Sequence, residues 1–494
     1  MMVRAKIPEN RARQIVIHDA VNNTFELDEN VLRRILLQDG VRDKPVAVIP
    51  VVGALRKGKS FMLNFFLRYM KHLQVHAQCS SKCADWLEDP DAPLKGFSWR
   101  AGMRGDTSGI LMWDEVFTVT TSEGKQVAVV FMDTEGVFDR GATMKECTTI
   151  FALSTLISST LVYNISQMLQ ENVLQFLQFF TEYGRLAAGN TSEKPFDKLT
   201  FLVRDWSSPF DAPYGAEGGR AVLNEWLNVS EQQHEDGRQI REHIRSCFSE
   251  VDCFLMPHPG LKVATSAEFD GRSSDIGRDF IVQLNDLVPR LLAPDNLVVK
   301  KINGTEVTCE ALLKYIKAYT NTFVMDKLPE PRSILQAAAE VYYSEAVATE
   351  IKQYNSDMDE ICGKEEGMKV RVLSEHHLRL KSSAEMRFLG IPSIGGDDCK
   401  KRFLEKLMQG IDTQYKMYAE SNKSRQAAAR SKRKYKIYKG IAIASTLALG
   451  AAGGAVLASG TTRAAIAGVA EISSNGALRA GLLAVVGCAR ATTP

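Results

Sequence analysis

Gly53-Ala54-Leu55-Arg56-Lys57-Gly58-Lys59-Ser60 follows directly on the apolar run Val46-Ala47-Val48-Ile49-Pro50-Val51-Val52 and leads into Phe61-Met62-Leu63-Asn64-Phe65-Phe66-Leu67. The octet is a complete G-x(4)-G-K-[ST] phosphate loop, set between a strand-length run and a helix-forming segment. Its glycines let the backbone wrap until its N–H groups, at a helix N-terminus, face phosphate oxygens. Lys59 then reaches the β- and γ-phosphates, and Ser60 holds a magnesium ion. Unbroken apolar runs recur at Val127-Ala128-Val129-Val130-Phe131-Met132 and Leu199-Thr200-Phe201-Leu202-Val203. Strands of that kind, buried on both faces, belong to a mostly parallel sheet with helices on both faces, so Lys44 to Val299 reads as an α/β phosphate-loop domain.

The remainder is organised differently. A chain of 494 residues is expected to form two or three domains. With 45% hydrophobic and 24% charged residues it is neither collagen-like nor wholly disordered. Lys and Arg number 61 against 59 Asp and Glu, a formal charge of +2, so nothing in the global field points to nucleic acid as a partner. Nine cysteines without an apolar N-terminal segment fit a reduced, cytosolic bulk. His72, His76, Cys79 and Cys83 admit a zinc site or a polar loop with free thiols, and Cys-x(3)-Cys lacks the usual second ligand pair.

Beyond Pro329-Glu330-Pro331-Arg332 strand-like runs vanish, and breakers at Gly363 to Gly367 and Gly390 to Gly396 divide an Ala/Glu/Lys/Leu-rich region into three helices. The expected partition is an extension over 1–43, the nucleotide domain over 44–325, a linker over 326–332 and an all-α three-helix bundle over 333–422. A basic segment over 423–439 and a membrane segment with a short tail over 440–494 complete it. Lys423 to Lys439 carries eight Lys or Arg and no acid, and the 21 residues from Gly440 to Gly460 carry no charge. At about 1.5 Å per residue that stretch covers roughly 31 Å, close to a bilayer's hydrocarbon thickness. Cations abutting it satisfy the positive-inside rule, whereas its Ala/Gly content also suits a buried helix or a loose tail. Ala464 to Val486, interrupted by Glu471 and Arg479, is a poor span alone.

A phosphate loop needs partners for the metal and the γ-phosphate. Asp133-Thr134-Glu135-Gly136 closes an apolar strand, placing Asp133 to hold Mg²⁺ through water and the Gly136 N–H to touch the γ-phosphate. Within Arg104-Gly105-Asp106-Thr107-Ser108-Gly109, Thr107 offers a second hydroxyl to the metal. Val137 occupies the position where small regulatory GTPases carry a water-orienting Gln, so charge stabilisation must come from elsewhere. Arg56, inside the loop, is either an arginine finger supplied in cis or a solvated side chain at the loop tip. The motif alone does not separate ATP from GTP. No [NT]-K-x-D is present, and Asp205 in Leu202-Val203-Arg204-Asp205-Trp206 is the strand-ending carboxylate able to accept from guanine N1 and N2.

Together these pieces resemble the dynamin-like GTPases comprising the atlastins and guanylate-binding proteins, the atlastin branch most closely, over about Lys44 to Ser421. Longer words carry the likeness: Phe97-Ser98-Trp99-Arg100, Phe151-Ala152-Leu153-Ser154-Thr155, Phe180-Thr181-Glu182-Tyr183-Gly184-Arg185-Leu186-Ala187, Tyr214-Gly215-Ala216 and Pro257-His258-Pro259-Gly260-Leu261-Lys262-Val263-Ala264-Thr265. The resemblance implies that Arg56, Lys57, Gly58, Lys59, Ser60 and Phe61 contact the phosphates, and that Ser60 and Asp133 serve Mg²⁺. It implies that Arg204 and Asp205 read guanine and that the segment around Val263 caps the base. It further implies a membrane hairpin, GTP-driven homodimerisation through the GTPase and helical domains, and fusion of endoplasmic reticulum membranes.

Three departures bear on those expectations. Glu135 stands where animal atlastins usually carry Gln, Ser266 where they place an Asn near the base, and only eight residues follow Val486, which leaves no room for the amphipathic helix after the hairpin. Two other functions therefore stay open: a soluble or peripheral guanylate-binding-like GTPase, and a slowly hydrolysing GTP-loaded tether.

Overall fold

The structure, a computed structural model, describes residues 11–19, 24–54, 57–76, 86–87, 89–99, 109–134, 144–168, 177, 194–228, 235–323, 330–363 and 367–452. Its strands are β1 (Ala12–Asp19), β2 (Thr24–Leu27), β3 (Val46–Gly53), β4 (Ile110–Trp113), β5 (Phe117–Thr120), β6 (Gln126–Thr134), β7 (Thr160–Ser166), β8 (Phe196–Arg204), β9 (Phe248–Leu255), β10 (Lys301–Ile302) and β11 (Thr305–Glu306). Its helices are α1 (Glu29–Leu36), α2 (Lys59–His76), α3 (Met144–Ile157), α4 (Gly215–Trp226), α5 (Glu235–Cys247), α6 (Leu261–Thr265), α7 (Arg278–Leu292), α8 (Cys309–Thr322), α9 (Pro331–Cys362), α10 (Val370–Gly390) and α11 (Asp397–Ala452).

Nine strands form one sheet in the order β2-β1-β4-β6-β3-β7-β8-β9, with β5 also on β6. The run β6-β3-β7-β8-β9 is parallel throughout. The pairings β1–β2, β1–β4, β4–β6 and β5–β6 are antiparallel, so the sheet is mixed where a mostly parallel one is expected. Chain length explains part of the difference: Thr121–Lys125 is too short for the dozen or so residues a parallel crossover takes, so β6 folds back antiparallel on β5, and β4, which runs in line with β5, meets β6 in the same sense. Residues 11–43, expected as an extension, contribute β1 and β2 to this sheet and α1 beside it. The Asp28 carboxylate caps α1 by accepting from Val31 N at 3.0 Å, and Leu32, Ile35 and Leu36 form its buried face.

β3 is buried along its whole length at the centre of the sheet. Pro50 within it has no N–H to give, a defect for a central strand. The strand tolerates it because N–H groups alternate sides. Val48 N faces Ser159 on the β7 side, so Pro50 faces that side too, and the β7 ladder registers only from Val51 onward. Beneath β3 lies α2, whose Met62, Leu63, Phe65, Phe66 and Met70 are fully buried between the sheet and α7.

The chain divides into two compact units, 1–356 with 379–413 and 357–378 with 414–494. In the first, Tyr343 of α9 lies between Phe388 and Phe403 at 5.9 and 5.7 Å and accepts a hydrogen bond from Ile394 N at 2.9 Å. Arg387–Glu350 and Arg402–Glu340 pairs flank it. In the second, His377 stacks on Tyr415 at 4.0 Å, and Asn422 takes both polar groups of the Met368 backbone. α11 runs unbroken for 56 residues across positions 422 and 439, where separate segments are expected. Among the described residues no helix is long and apolar enough to cross a membrane. Residues 453–494, which hold the rest of the uncharged stretch, lie outside the described part.

Candidate nucleotide site

β3 has parallel neighbours on both sides, reached by crossovers running in opposite directions, so the carboxyl ends of β3 and β7 flank a topological switch point. The phosphate loop leaves β3 there. Gly53 has φ +137°, and a Cβ on it would lie 2.1 Å from Asn164 O, an approach only glycine permits. Gly58, at φ +77°, closes the loop, and Met62 N donates to its carbonyl at 3.0 Å as α2 begins. Asn164, at the end of β7, donates through Nδ2 to Lys57 O at 2.9 Å and ties the loop to the next strand. Leu55 and Arg56 lie outside the described residues.

Lys59 is 7% exposed, its Nζ 3.2 Å from Ala54 O, so the ammonium lies back across its own loop. Ser60 Oγ donates to Asp133 Oδ2 at 2.5 Å. Asp133 is fully buried at the end of β6, in register with Val51 of β3, and its Oδ1 accepts from Thr134 N at 3.1 Å. Lys59, Ser60 and Asp133, three residues picked out by motif alone, thus converge at the carboxyl ends of two adjacent strands. Two hard oxygens with one cation beside them suit a magnesium-bound triphosphate. Thr107, Glu135 and Gly136 lie outside the described residues, as do Cys79 and Cys83. His72 and His76 stack at 4.4 Å, and among the described residues no group of three or more His, Cys, Asp or Glu is placed to hold a metal.

Arg204 and Asp205 close β8 and diverge. Asp205 takes a left-handed backbone, φ +58°, with its carboxylate 3.5 Å from Ser166 Oγ. Arg204 is 3% exposed and lies over the Phe280 ring at 5.2 Å, and its Nη1 is 3.1 Å from where a Cβ on Gly58 would sit. Burial pushes this guanidinium below its ordinary pKa, with the Asp205 carboxylate opposing. Its Nε and Nη1 have no hydrogen-bond partner among the described residues. The Arg side chain therefore lies under the phosphate loop while the Asp side chain lies beside the end of β7. Val263, half-buried on the short α6, packs against the core, and Gly260 at φ +116° turns the chain into that helix.

Phe61 directly follows Ser60, and its ring is buried among Trp99 (5.2 Å), Phe269 (6.1 Å) and Phe280 (6.4 Å), which leaves its backbone N–H as the group available to a phosphate. Asn64, one turn on and fully buried, accepts from Phe97 N at 2.7 Å and donates to Phe97 O at 3.0 Å, holding the bend at Gly96 and Phe97. Asn64, Asn164 and Phe280 go unmarked in the motif reading. A polar residue inside an apolar run, as in Leu161-Val162-Tyr163-Asn164-Ile165, is the signal that exposes the second of them.

A phosphate loop at a switch point, with its serine against a strand-ending aspartate, defines a phosphate-loop nucleoside triphosphatase. The family described as guanylate-binding protein, N-terminal domain, matches residues 22–301. The chain is 47% identical to Atlastin-1 of Macaca fascicularis over 405 residues, 82% of this chain and 71% of that one. It is 47% identical to Atlastin-3 of Mus musculus over 430 residues, 87% and 79% of the two chains. It is 46% identical to Atlastin of Drosophila melanogaster over 414 residues, 83% and 75% of the two. The chain belongs to the atlastin family of guanylate-binding-type GTPases.

Proposed function

We propose that this chain is a GTPase anchored in the endoplasmic reticulum membrane with its nucleotide domain facing the cytosol. GTP hydrolysis drives homodimerisation through the GTPase and helical domains, and with it tethering and homotypic fusion of those membranes. The observation that carries the enzymatic half is the Ser60–Asp133 contact at the floor of the phosphate loop, with Lys59 alongside. The membrane half rests on family membership and on the basic run ahead of Gly440.

In this reading Lys57, Gly58, Lys59, Ser60 and Phe61 hold the phosphates through backbone N–H groups and the Lys59 ammonium. Ser60, Thr107 and Asp133 supply oxygens for Mg²⁺, which when bound neutralises charge on the β- and γ-phosphates. Arg56 reaches over the loop to stabilise charge that develops in the transition state, replacing the glutamine absent at Val137. Glu135 and Gly136 border the γ-phosphate, Asp205 reads guanine with Arg204 behind it, and the Val263 segment covers the base. Magnesium-dependent phosphate release from GTP, lost on Asp133→Ala and retained with GTP over ATP in the unaltered chain, tests the enzyme. An alkaline carbonate wash of membranes tests the anchor, since only an integral chain stays in the pellet.

A further inference from the structure

Residues 357–378 and 414–452 show how α11 leaves the helical region. Asn422, 5% exposed, accepts from Met368 N at 2.8 Å and donates to Met368 O at 2.9 Å, and Gly367 at φ +69° brings that turn against it. Tyr418 donates to Asp359 at 2.7 Å one turn earlier. Past this clamp α11 stays helical to Ala452, and residues 431–441 are exposed all round. From Asn422 to Lys439 the helix extends about 26 Å, at about 1.5 Å per residue.

The cations on this projecting stretch spread over well more than half of its circumference. At about 100° per residue, with Lys432 at zero, Lys436 lies at about 40°, Arg433 at about 100°, Arg430 at about 160°, Lys434 at about 200° and Lys439 at about 340°. Among them fall Ile443 at about 20°, Ile437 at about 140° and Ile441 at about 180°. The remaining sector holds Tyr438 and Tyr435 with Ser431 and Ala442, and no large aliphatic side chain. A helix lying in the plane of a membrane needs a continuous apolar face opposite its charges. This stretch instead sets its Ile side chains among the cations, within the same arc of about 220°, and it contains no acid. Tyr and Lys just ahead of an uncharged stretch are the residues that settle at headgroup depth.

We infer that α11 beyond Asn422 is a stalk that enters the bilayer end-on, its Arg430–Lys439 collar, spread over about 220° of the helix, seated in the headgroup layer of an anionic phospholipid surface. This rests on the membrane anchoring proposed above and adds its geometry. The test is the full chain in vesicles of brominated phosphatidylcholine with a minority of phosphatidylserine, carrying a fluorescent amino acid at each of residues 428–443 in turn. A stalk gives quenching that rises steadily from 428 to 443. Quenching that oscillates with a 3.6-residue period overturns the stalk while leaving the anchor, and no quenching at any position overturns both. Lys432→Gln and Lys434→Gln, on opposite sides of the helix, should lower the phosphatidylserine-dependent part of the signal by equal factors. A loss from only one of them, or a profile unchanged when phosphatidylserine is omitted, overturns the collar.

Discussion

Asn164→Ala removes the side-chain bond by which, among the described residues, β7 holds the phosphate loop, the 2.9 Å contact from Nδ2 to Lys57 O. Asn164 is fully buried beside the point where Gly53 leaves β3, so water does not simply replace the lost donor. A bond of this kind, with a partner stranded in a partly buried place, is worth about 1–3 kcal/mol. At about 1.4 kcal/mol per tenfold, that becomes roughly 5- to 140-fold in affinity. In the proposed binding mode the loop cradles the β-phosphate that GTP and GDP share, so both nucleotides should weaken by the same factor, with turnover at saturating GTP changed far less. Asn164→Asp should be worse, because it sets a carboxylate against the Lys57 carbonyl and near the phosphates. Fluorescent-nucleotide titration of GTP and GDP, alongside thermal unfolding without nucleotide, reads all of this. Unaltered affinity in Asn164→Ala, or a loss confined to GTP, refutes the reasoning that Asn164 preorganises the loop.

Lys59→Ala should abolish nucleotide binding, since a charge-assisted contact and its field vanish together, and GTP titration checks it. Arg56→Ala should keep GTP bound while cutting turnover by a factor on the order of 10³, read as single-turnover phosphate release, because a finger acts on transition-state charge. Asp205→Asn should weaken GTP by about 1–3 kcal/mol and narrow its preference over ATP in competition binding, with phosphate contacts intact. Deleting Gly440 to Pro494 should release the chain from membranes in a fractionation assay with GTP hydrolysis largely kept, because Lys59, Asp133 and Asp205 all lie far upstream.

The parallel core was legible because its strands are continuous apolar runs that nothing but a covered sheet accommodates, and Lys59, Ser60 and Asp133 were legible because strand ends fix where motif residues go. β1 and β2 were not: in Ala12–Asp19 the polar Arg13 and Gln14 precede the block Ile15, Val16 and Ile17, which is neither a clean alternation nor a long apolar run, and its place beside β4 depends on pairing across about a hundred residues. Pro50 lies inside a run read as a strand, and only the register with β7 shows which side its missing donor faces. The unbroken course of α11 was hidden because Gly440 and the change in composition at Lys423 look like boundaries. A helix already nucleated and clamped at Asn422 propagates through Gly440 and Gly450 at a cost of only about 1 kcal/mol each.

The two halves of the site are mechanically one object. Ser60 and Phe61 are adjacent, so the residue whose oxygen meets Asp133 is joined to a ring lodged among Trp99, Phe269 and Phe280. Phe280 carries the Arg204 guanidinium, and Arg204 is joined to Asp205 at the end of β8. Trp99 closes the segment that Asn64, one turn along α2, holds by the Phe97 backbone. A shift of the phosphate loop by even a few tenths of an ångström is therefore felt in three places, since close-packed rings transmit displacement instead of absorbing it. They are the Phe97–Trp99 segment, the α7 face over which Arg204 lies, and Phe269 in the chain following Val263. Loss of ring volume at Phe280 should accordingly disturb guanine preference and phosphate affinity together, although Phe280 occupies neither the phosphate loop nor the end of β8. A Phe280→Leu variant that altered only one of the two would show that base and phosphate recognition are independent in this fold.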